Sequence, residues 1–320
     1  MSDEFRRRDF LAGAAGLAAI TAAGPIRAEE AKPKPILACR DPHLKETLKK
    51  DCWSAMQAIG AEGVEASIDD KLALPGLFHP ETKYSAADAA GIEKLQADMR
   101  AAGRRISAFC MYNRFDERPD FEVEWCGRAA KAAQALGVKA IRIDVVPHKL
   151  KADQFLDFAV ATMKRVMEAT ESTGVAFGIE NHGHVTNNPD FLQPLLEKVG
   201  SKRLGLTLDT ANFYWFGHPL SKLYSLYETF APRVVHTHCK SIKFPEDQRE
   251  KQRPVGWEYG KRCCPVYEGD IDFARVTKIL LAAGYSNDLC VEDESLGRFP
   301  ADQRCEILSK EIKHLATCLA

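Results

Sequence analysis

Three side chains that can bind a metal or move a proton are set at one constant interval along this chain. Glu180 closes the apolar run 175–180, Asp209 closes the run 204–209, and His238 closes the run 234–238, each 29 residues after the one before. A fourth apolar run, 289–292, again ends in a carboxylate, Glu292. A strand with its crossover helix and loops takes roughly 30 residues. Four successive βα units are therefore expected to deliver one ligand-type side chain each, at the carboxyl end of a strand. Three carboxylates and one imidazole suit a single divalent ion, Mn²⁺ first, with Mg²⁺, Co²⁺ or Zn²⁺ as alternatives; a closed structural zinc site would favour thiolates. Four protein ligands in a six-coordinate sphere leave room for two substrate oxygens. An ion there would polarise a carbonyl and stabilise the enediolate formed when the neighbouring carbon loses its proton. Glu180 and Glu292 are expected to flank the substrate and exchange protons as general base and acid. His236 competes with His238 as the ligand, because alternation puts both on one face; His238 lies nearer the strand end and is preferred.

Other polar residues fall close to these ends. His182 and His184 follow Glu180, so at least one should face the site. Lys240, two residues past His238, should point the same way and could neutralise an enediolate or hold a substrate oxygen. Arg142 and Asp144 on the fourth strand are expected to form a polar layer, and Glu65, expected to end the second strand, to orient substrate.

The elements that must position these residues alternate from residue 36 onwards. Short apolar runs at 36–40, 63–68, 105–110, 140–144, 176–180, 205–209, 234–239 and 289–292 read as strands. Between and after them, stretches at 45–59, 87–102, 121–136, 152–172, 190–199, 220–230, 273–283 and 301–319 carry apolar residues at helical spacing. Gly60, Gly103, Gly137, Gly174, Gly200 and Gly284 stand where helices should stop. Eight strands alternating with eight helices predict a (β/α)8 TIM barrel, in which active sites lie at the carboxyl ends of the strands. A polar connection, 241–269, leaves the strand that carries His238 and is expected to rise over the barrel mouth.

The chain has 320 residues, 45% of them hydrophobic, enough for one large core, and a net charge of −1 gives no reason to expect a nucleic-acid or membrane partner. The first 28 residues read as a twin-arginine signal peptide, with Arg7-Arg8-Asp9-Phe10-Leu11, an Ala/Gly-rich apolar stretch and a cleavage site after Ala28; the mature domain would be residues 29–320. Cleavage would take the formal net charge to −2, and the product would be periplasmic or secreted. The ten cysteines lack the paired spacing of a structural zinc site, and Cys39, Cys110, Cys239 and Cys290 fall in expected strands, so few or no disulfides are expected; Cys263 and Cys264 stay open.

The runs 178–183 (GIENHG), 205–212 (GLTLDTAN), 236–240 (HTHCK), 269–273 (GDIDF) and 284–292 resemble the xylose isomerase-like TIM barrel superfamily over roughly residues 35–320. That group includes sugar isomerases, ketose 3-epimerases, hydroxypyruvate isomerase and inosose dehydratase. The resemblance implies a divalent metal on Glu180, Asp209, His238 and Glu292, with the two glutamates exchanging protons with a carbohydrate. Three positions depart from the ketose epimerase pattern: Thr186 stands where a second Glu would be, Asn212 where a His would be, and Phe244 where an Arg would be. In those epimerases these positions contact sugar hydroxyls; Asn212 is retained here as an expected substrate contact. The expected activity is sugar or polyol isomerisation or epimerisation. Elimination of water or an aglycone from a keto-sugar by the same residues is the alternative. Two remoter readings are a non-catalytic sugar-binding barrel and a type IV apurinic endonuclease, which would need more histidines at the strand ends. Export argues against a phosphorylated substrate. The oligomeric state is left open, homo-oligomers included.

Overall fold

The computed structural model describes residues 34–320; the expected signal sequence lies outside them. Eight parallel strands form the barrel: β1 Ile36–Arg40, β2 Gly63–Ser67, β3 Arg105–Cys110, β4 Ala140–Ile143, β5 Ala176–Glu180, β6 Leu204–Asp209, β7 Val234–His238 and β8 Asp288–Val291. They pair in the order β8-β1-β2-β3-β4-β5-β6-β7. A bridge between Cys239 and Val291 closes the ring, with Cys239 N–H donating to the Cys290 carbonyl at 2.7 Å. Each strand falls within one residue of its expected bounds. The fold is a (β/α)8 TIM barrel.

Crossover helices follow the strands, from Cys52–Ile59 to Ala301–Cys318. Asp51, Asp88 and Asp272 cap helix starts by accepting backbone N–H groups, and Gly60, Gly103 and Gly137 end helices in the left-handed conformation. One expected helix is corrected. The stretch 45–59 is split into Asp41–Lys45 and Cys52–Ile59. Leu48, with φ of 57° and largely exposed, breaks the apolar pattern, and the Asp51–Ser54 capping box starts the second helix afresh.

Two glycines in the site motifs are there for space. A Cβ on Gly178 would lie 2.3 Å from Thr207 Oγ1, and one on Gly205 would lie 2.0 Å from the Arg233 carbonyl oxygen. These contacts allow β5, β6 and β7 to approach closely, and the register of β6 on β7 sets Asp209 opposite His238.

The connection that leaves β7 is ordered rather than open. Ser241–Ile242 pairs antiparallel with Cys263–Cys264. Arg253 pins the rest: its guanidinium lies 4.5 Å from the Tyr214 ring and 4.3 Å from the Phe244 ring, and donates to the His218 carbonyl at 2.7 Å. All ten cysteines are free thiols, eight of them buried. Among the described residues no helix is long and apolar enough to cross a membrane.

The end of this connection is tied to the last helix by Glu311, fully buried, which accepts the Val266 N–H at 3.0 Å through Oε1 while Oε2 has no partner. Burial, with Asp293 nearby, pushes its carboxyl well above the usual range. A carboxyl raised on folding stabilises fully below its unfolded value, and that stability is lost as pH rises through the folded value. Glu311→Gln keeps the acceptor and removes the ionisable group. Thermal unfolding should therefore show the variant gaining Tm over the parent at pH 8–9 and little at pH 4–5; equal differences at both would contradict this account.

Candidate active site

Four ligand atoms, one each from Glu180, Asp209, His238 and Glu292, lie within 4.8 Å of one another at the carboxyl ends of β5, β6, β7 and β8, all buried. His238 Nδ1 is 3.4 Å from Glu180 Oε1 and 3.3 Å from Glu292 Oε2. His238 Nδ1, Asp209 Oδ2 and Glu292 Oε2 are buried with no hydrogen-bond partner. Buried polar atoms are normally satisfied, so three unsatisfied atoms converging on one point suit a cation. Lys240 Nζ lies 2.8 Å from Asp209 Oδ2 and 3.0 Å from Glu292 Oε2. Lys240 therefore offsets part of the negative charge on these two oxygens. Hard oxygens plus one imidazole fit a divalent ion such as Mn²⁺, Mg²⁺ or Zn²⁺.

Each glutamate turns one oxygen to His238 and gives the other to its own arginine. Arg142 Nε donates to Glu180 Oε2 at 2.6 Å, and the same guanidinium pairs with Asp144 at 2.9 Å. Arg40 pairs with Glu292 Oε1 through one nitrogen, and its Nε donates to Glu65 Oε2 at 2.5 Å. Burial alone would raise both glutamates. For Glu180 the Arg142 guanidinium and His238 outweigh burial, and for Glu292 Lys240 and Arg40 do, holding both carboxyls below the usual range. Asp209 has no such clamp: burial pushes it up to about 7 despite Lys240. Around His238, burial is outweighed by Glu65, Glu292 and Glu180, which push its imidazole up. A proton or a metal cation would answer that surplus of negative charge.

The two histidines face different groups. His236 sits one layer deeper, fully buried, with Nδ1 2.9 Å from Asp288 and Nε2 3.1 Å from Glu65 Oε1. Glu65 Oε1 also lies 2.9 Å from His238 Nε2, which leaves His238 Nδ1 turned to the site. The expectation for Glu65 needs correcting. It lies in the middle of β2, its carboxylate is fully enclosed by Arg40, His236 and His238, and it does not reach the pocket. Its contacts are those of a group that orients His238.

The pocket above has a volume of 350 Å³, at the small end of ligand cavities. His182, Asn212 and Lys240 line it with Glu180 and Glu292. His182 Nδ1 is 3.1 Å from Asp144 Oδ1, and Asn212 Nδ2 donates to Glu180 Oε1 at 3.3 Å. His184 packs edge-on to Trp215, 5.9 Å between ring centres. Arg142 and Asp144 form the expected polar layer. The other two departures lie out of the pocket: Thr186 is buried and closes the loop on His182, accepting its N–H at 2.9 Å, and Phe244 is buried against Tyr214.

Sequence reasoning missed Arg40, Tyr112, Trp215, Tyr259 and Glu294, which also line the pocket. Arg40 was findable, as a charged residue closing the first strand. Tyr259 comes from the long connection and pairs its hydroxyl with Glu294 Oε2, while Glu294 Oε1 lies 3.0 Å from Lys240.

The structure is thus a closed eightfold α/β barrel whose last four strands lead into ligand-type side chains that could hold a metal. The chain belongs to the xylose isomerase-like TIM barrel family, whose profile matches residues 53–318. An uncharacterised protein of Methanocaldococcus jannaschii is 24% identical over 163 residues, covering 50% of this chain and 48% of that protein; the chain thus spans about half the length of this curated relative. Among solved structures, the IOLI protein with a bound zinc atom superposes with a TM-score of 0.65 at 17% identity, covering 89% of this chain and 99% of that one. The 3-keto-D-glucoside 4-epimerase from E. coli superposes with a TM-score of 0.60 at 16% identity, covering 89% of this chain and 100% of that one. At these identities the likeness establishes the fold.

Outer groups that orient a metal ligand typically contribute 10–100-fold in affinity. Glu65→Gln should weaken Mn²⁺ binding by about that factor in a calorimetric titration, and His238→Gln should abolish it. Unchanged affinity in Glu65→Gln would show that Glu65 only fills space.

Proposed function

We propose that this protein is a divalent-metal-dependent sugar isomerase or epimerase that works by proton transfer through an enediolate. The observation that carries this reading is the matched pair Glu180–Arg142 and Glu292–Arg40, with the other oxygen of each glutamate facing the same imidazole. A base must start ionised and aimed, and an arginine gripping the second oxygen does both. One glutamate takes the proton from the carbon beside the substrate carbonyl; for isomerisation that glutamate, now protonated, returns the proton to the neighbouring carbon, and for epimerisation the second glutamate, once protonated from solvent, gives a proton to the opposite face. Lys240 brings positive charge to within 3.0 Å of Glu292, where it can offset the oxyanion or hold a substrate oxygen. His182 and Asn212 bind sugar hydroxyls. A divalent ion, Mn²⁺ in preference to Mg²⁺, Co²⁺ or Zn²⁺, held by Glu180, Asp209, His238 and Glu292, would polarise the substrate carbonyl and offset the charge that develops on it. The family and the keto-glucoside epimerase among the structural neighbours support a reaction of this class.

A second reading, elimination from a keto-sugar or keto-glycoside, is favoured by the Tyr259 hydroxyl at the pocket wall, where it could protonate a leaving group. The test for both is incubation of the Mg²⁺-loaded protein in D₂O with ketoses, aldoses and 3-keto-glycosides, followed by NMR of the recovered sugar. Deuterium should appear beside the carbonyl, and Glu180→Gln and Glu292→Gln should each slow it at least about 100-fold, the lower range for a general acid or base. The product distinguishes isomer from eliminated fragment. Exchange that survives either substitution, or no exchange with any sugar, would sink the proposal.

We also propose export by the twin-arginine route, on the run Arg7-Arg8-Asp9-Phe10-Leu11. Replacing Arg7 and Arg8 together by Lys should leave the full-length precursor in the cytoplasm on cell fractionation; a processed product outside the cytoplasm in that variant would refute it.

A further inference from the structure

We infer that the pocket selects a neutral sugar and excludes its phosphate ester or uronate, and that Glu294 is a specificity-determining residue for this choice. The inference rests on the sugar-processing reading above and deepens it. Among the described residues that line the pocket, the basic ones are Arg40, Arg142, His182 and Lys240. Each is already paired with at least one carboxylate. Arg40 is held by Glu65 and Glu292, Arg142 by Asp144 and Glu180, and His182 by Asp144. Lys240 is shared among Asp209, Glu292 and Glu294, at 2.8, 3.0 and 3.0 Å.

The outer lining is acidic as well. The Glu294 side chain is 44% exposed and that of Asp144 13%, whereas the Glu180 and Glu292 side chains below them are 4% and 6% exposed. A phosphate entering here meets carboxylates on the way in and no unpaired cationic side chain inside, and a divalent ion on the four ligands would already be offset by three carboxylates. Juxtaposed like charges reject a wrong partner strongly, and specificity commonly comes from such repulsion. A neutral polyol fits what remains. Its hydroxyls can donate to Asp144, Glu294 and Asn212, and its C–H faces can lie on the Tyr112 ring, 53% exposed, or on half-buried Trp215.

The test pairs binding with turnover on the metal-loaded full chain. Calorimetric titrations with free ketohexoses and methyl 3-keto-glucoside are compared with ketohexose 6-phosphates and the matching uronates. The neutral sugars should bind at least about tenfold more tightly. Glu294→Lys, at a half-exposed site that tolerates change, should tighten the phosphates at least about tenfold while moving the neutral sugars far less. Glu294→Gln should show the same trend in smaller degree. A phosphate or uronate that binds the parent protein as tightly as its neutral counterpart overturns the inference, as does a Glu294→Lys variant with an unchanged ratio or the absence of any neutral ligand. Deuterium exchange run in parallel separates the two ideas. A neutral sugar that binds without exchanging supports the selectivity and refutes the proton-transfer reading. A phosphate that binds and exchanges does the reverse.

Discussion

Carboxylates buried at one end of a barrel have to be compensated, and most of the polar architecture here follows from that requirement. Asp288, His236, Glu65, Arg40 and Glu292 form a run of alternating acidic and basic groups from the deeper layer up to the site. A second, shorter run joins His182, Asp144, Arg142 and Glu180. Breaking a buried pair by removing one partner typically costs about 3–5 kcal/mol, because the other charge is left without compensation. The two runs therefore fix the side-chain positions tightly. They also account for the polar filling of a barrel interior that is more usually packed with branched apolar side chains.

The same constraint explains how the family framework is kept while its details change. Where a ketose epimerase would offer Glu, His and Arg, this chain has Thr186, Asn212 and Phe244. Thr186 has become a loop-closing hydrogen-bonding group, and Phe244 part of the platform on which Arg253 rests. The polar groups now around the pocket come from other strands and loops: Arg40 at the end of the first strand, Tyr112 after the third, Tyr259 from the long connection and Glu294 after the eighth. The metal-type ligand cluster and the substrate-facing shell are thus separable parts of one site.

That Glu180, Asp209, His238 and Glu292 come together was legible in the sequence because the barrel repeats. A constant spacing of strand ends carries Glu180, Asp209 and His238 without any knowledge of what lies between them, and the strands were readable for the same reason. The polar partners were not, because pairing depends on register across the barrel, which spacing along the chain does not contain. Glu65 illustrates this. Its place on β2 was visible, but only the meeting of β2 with β7 across the interior turns it to His236 and His238. The helix break at Leu48 was hidden by an apolar residue that points to solvent. The aromatic pocket walls come from loops, where no periodicity guides a reading.

The free thiols bear on the order of events in the life of the chain. Burial pushes Cys39, Cys110, Cys239 and Cys290 up in the folded barrel, so these sulfurs stay protonated and poorly nucleophilic. An unfolded chain would expose all ten at once, and an oxidising compartment would crosslink them in wrong combinations. For this molecule, collapse of the barrel is also chemical protection, and a chain bound for such a compartment would have to be folded before it arrived.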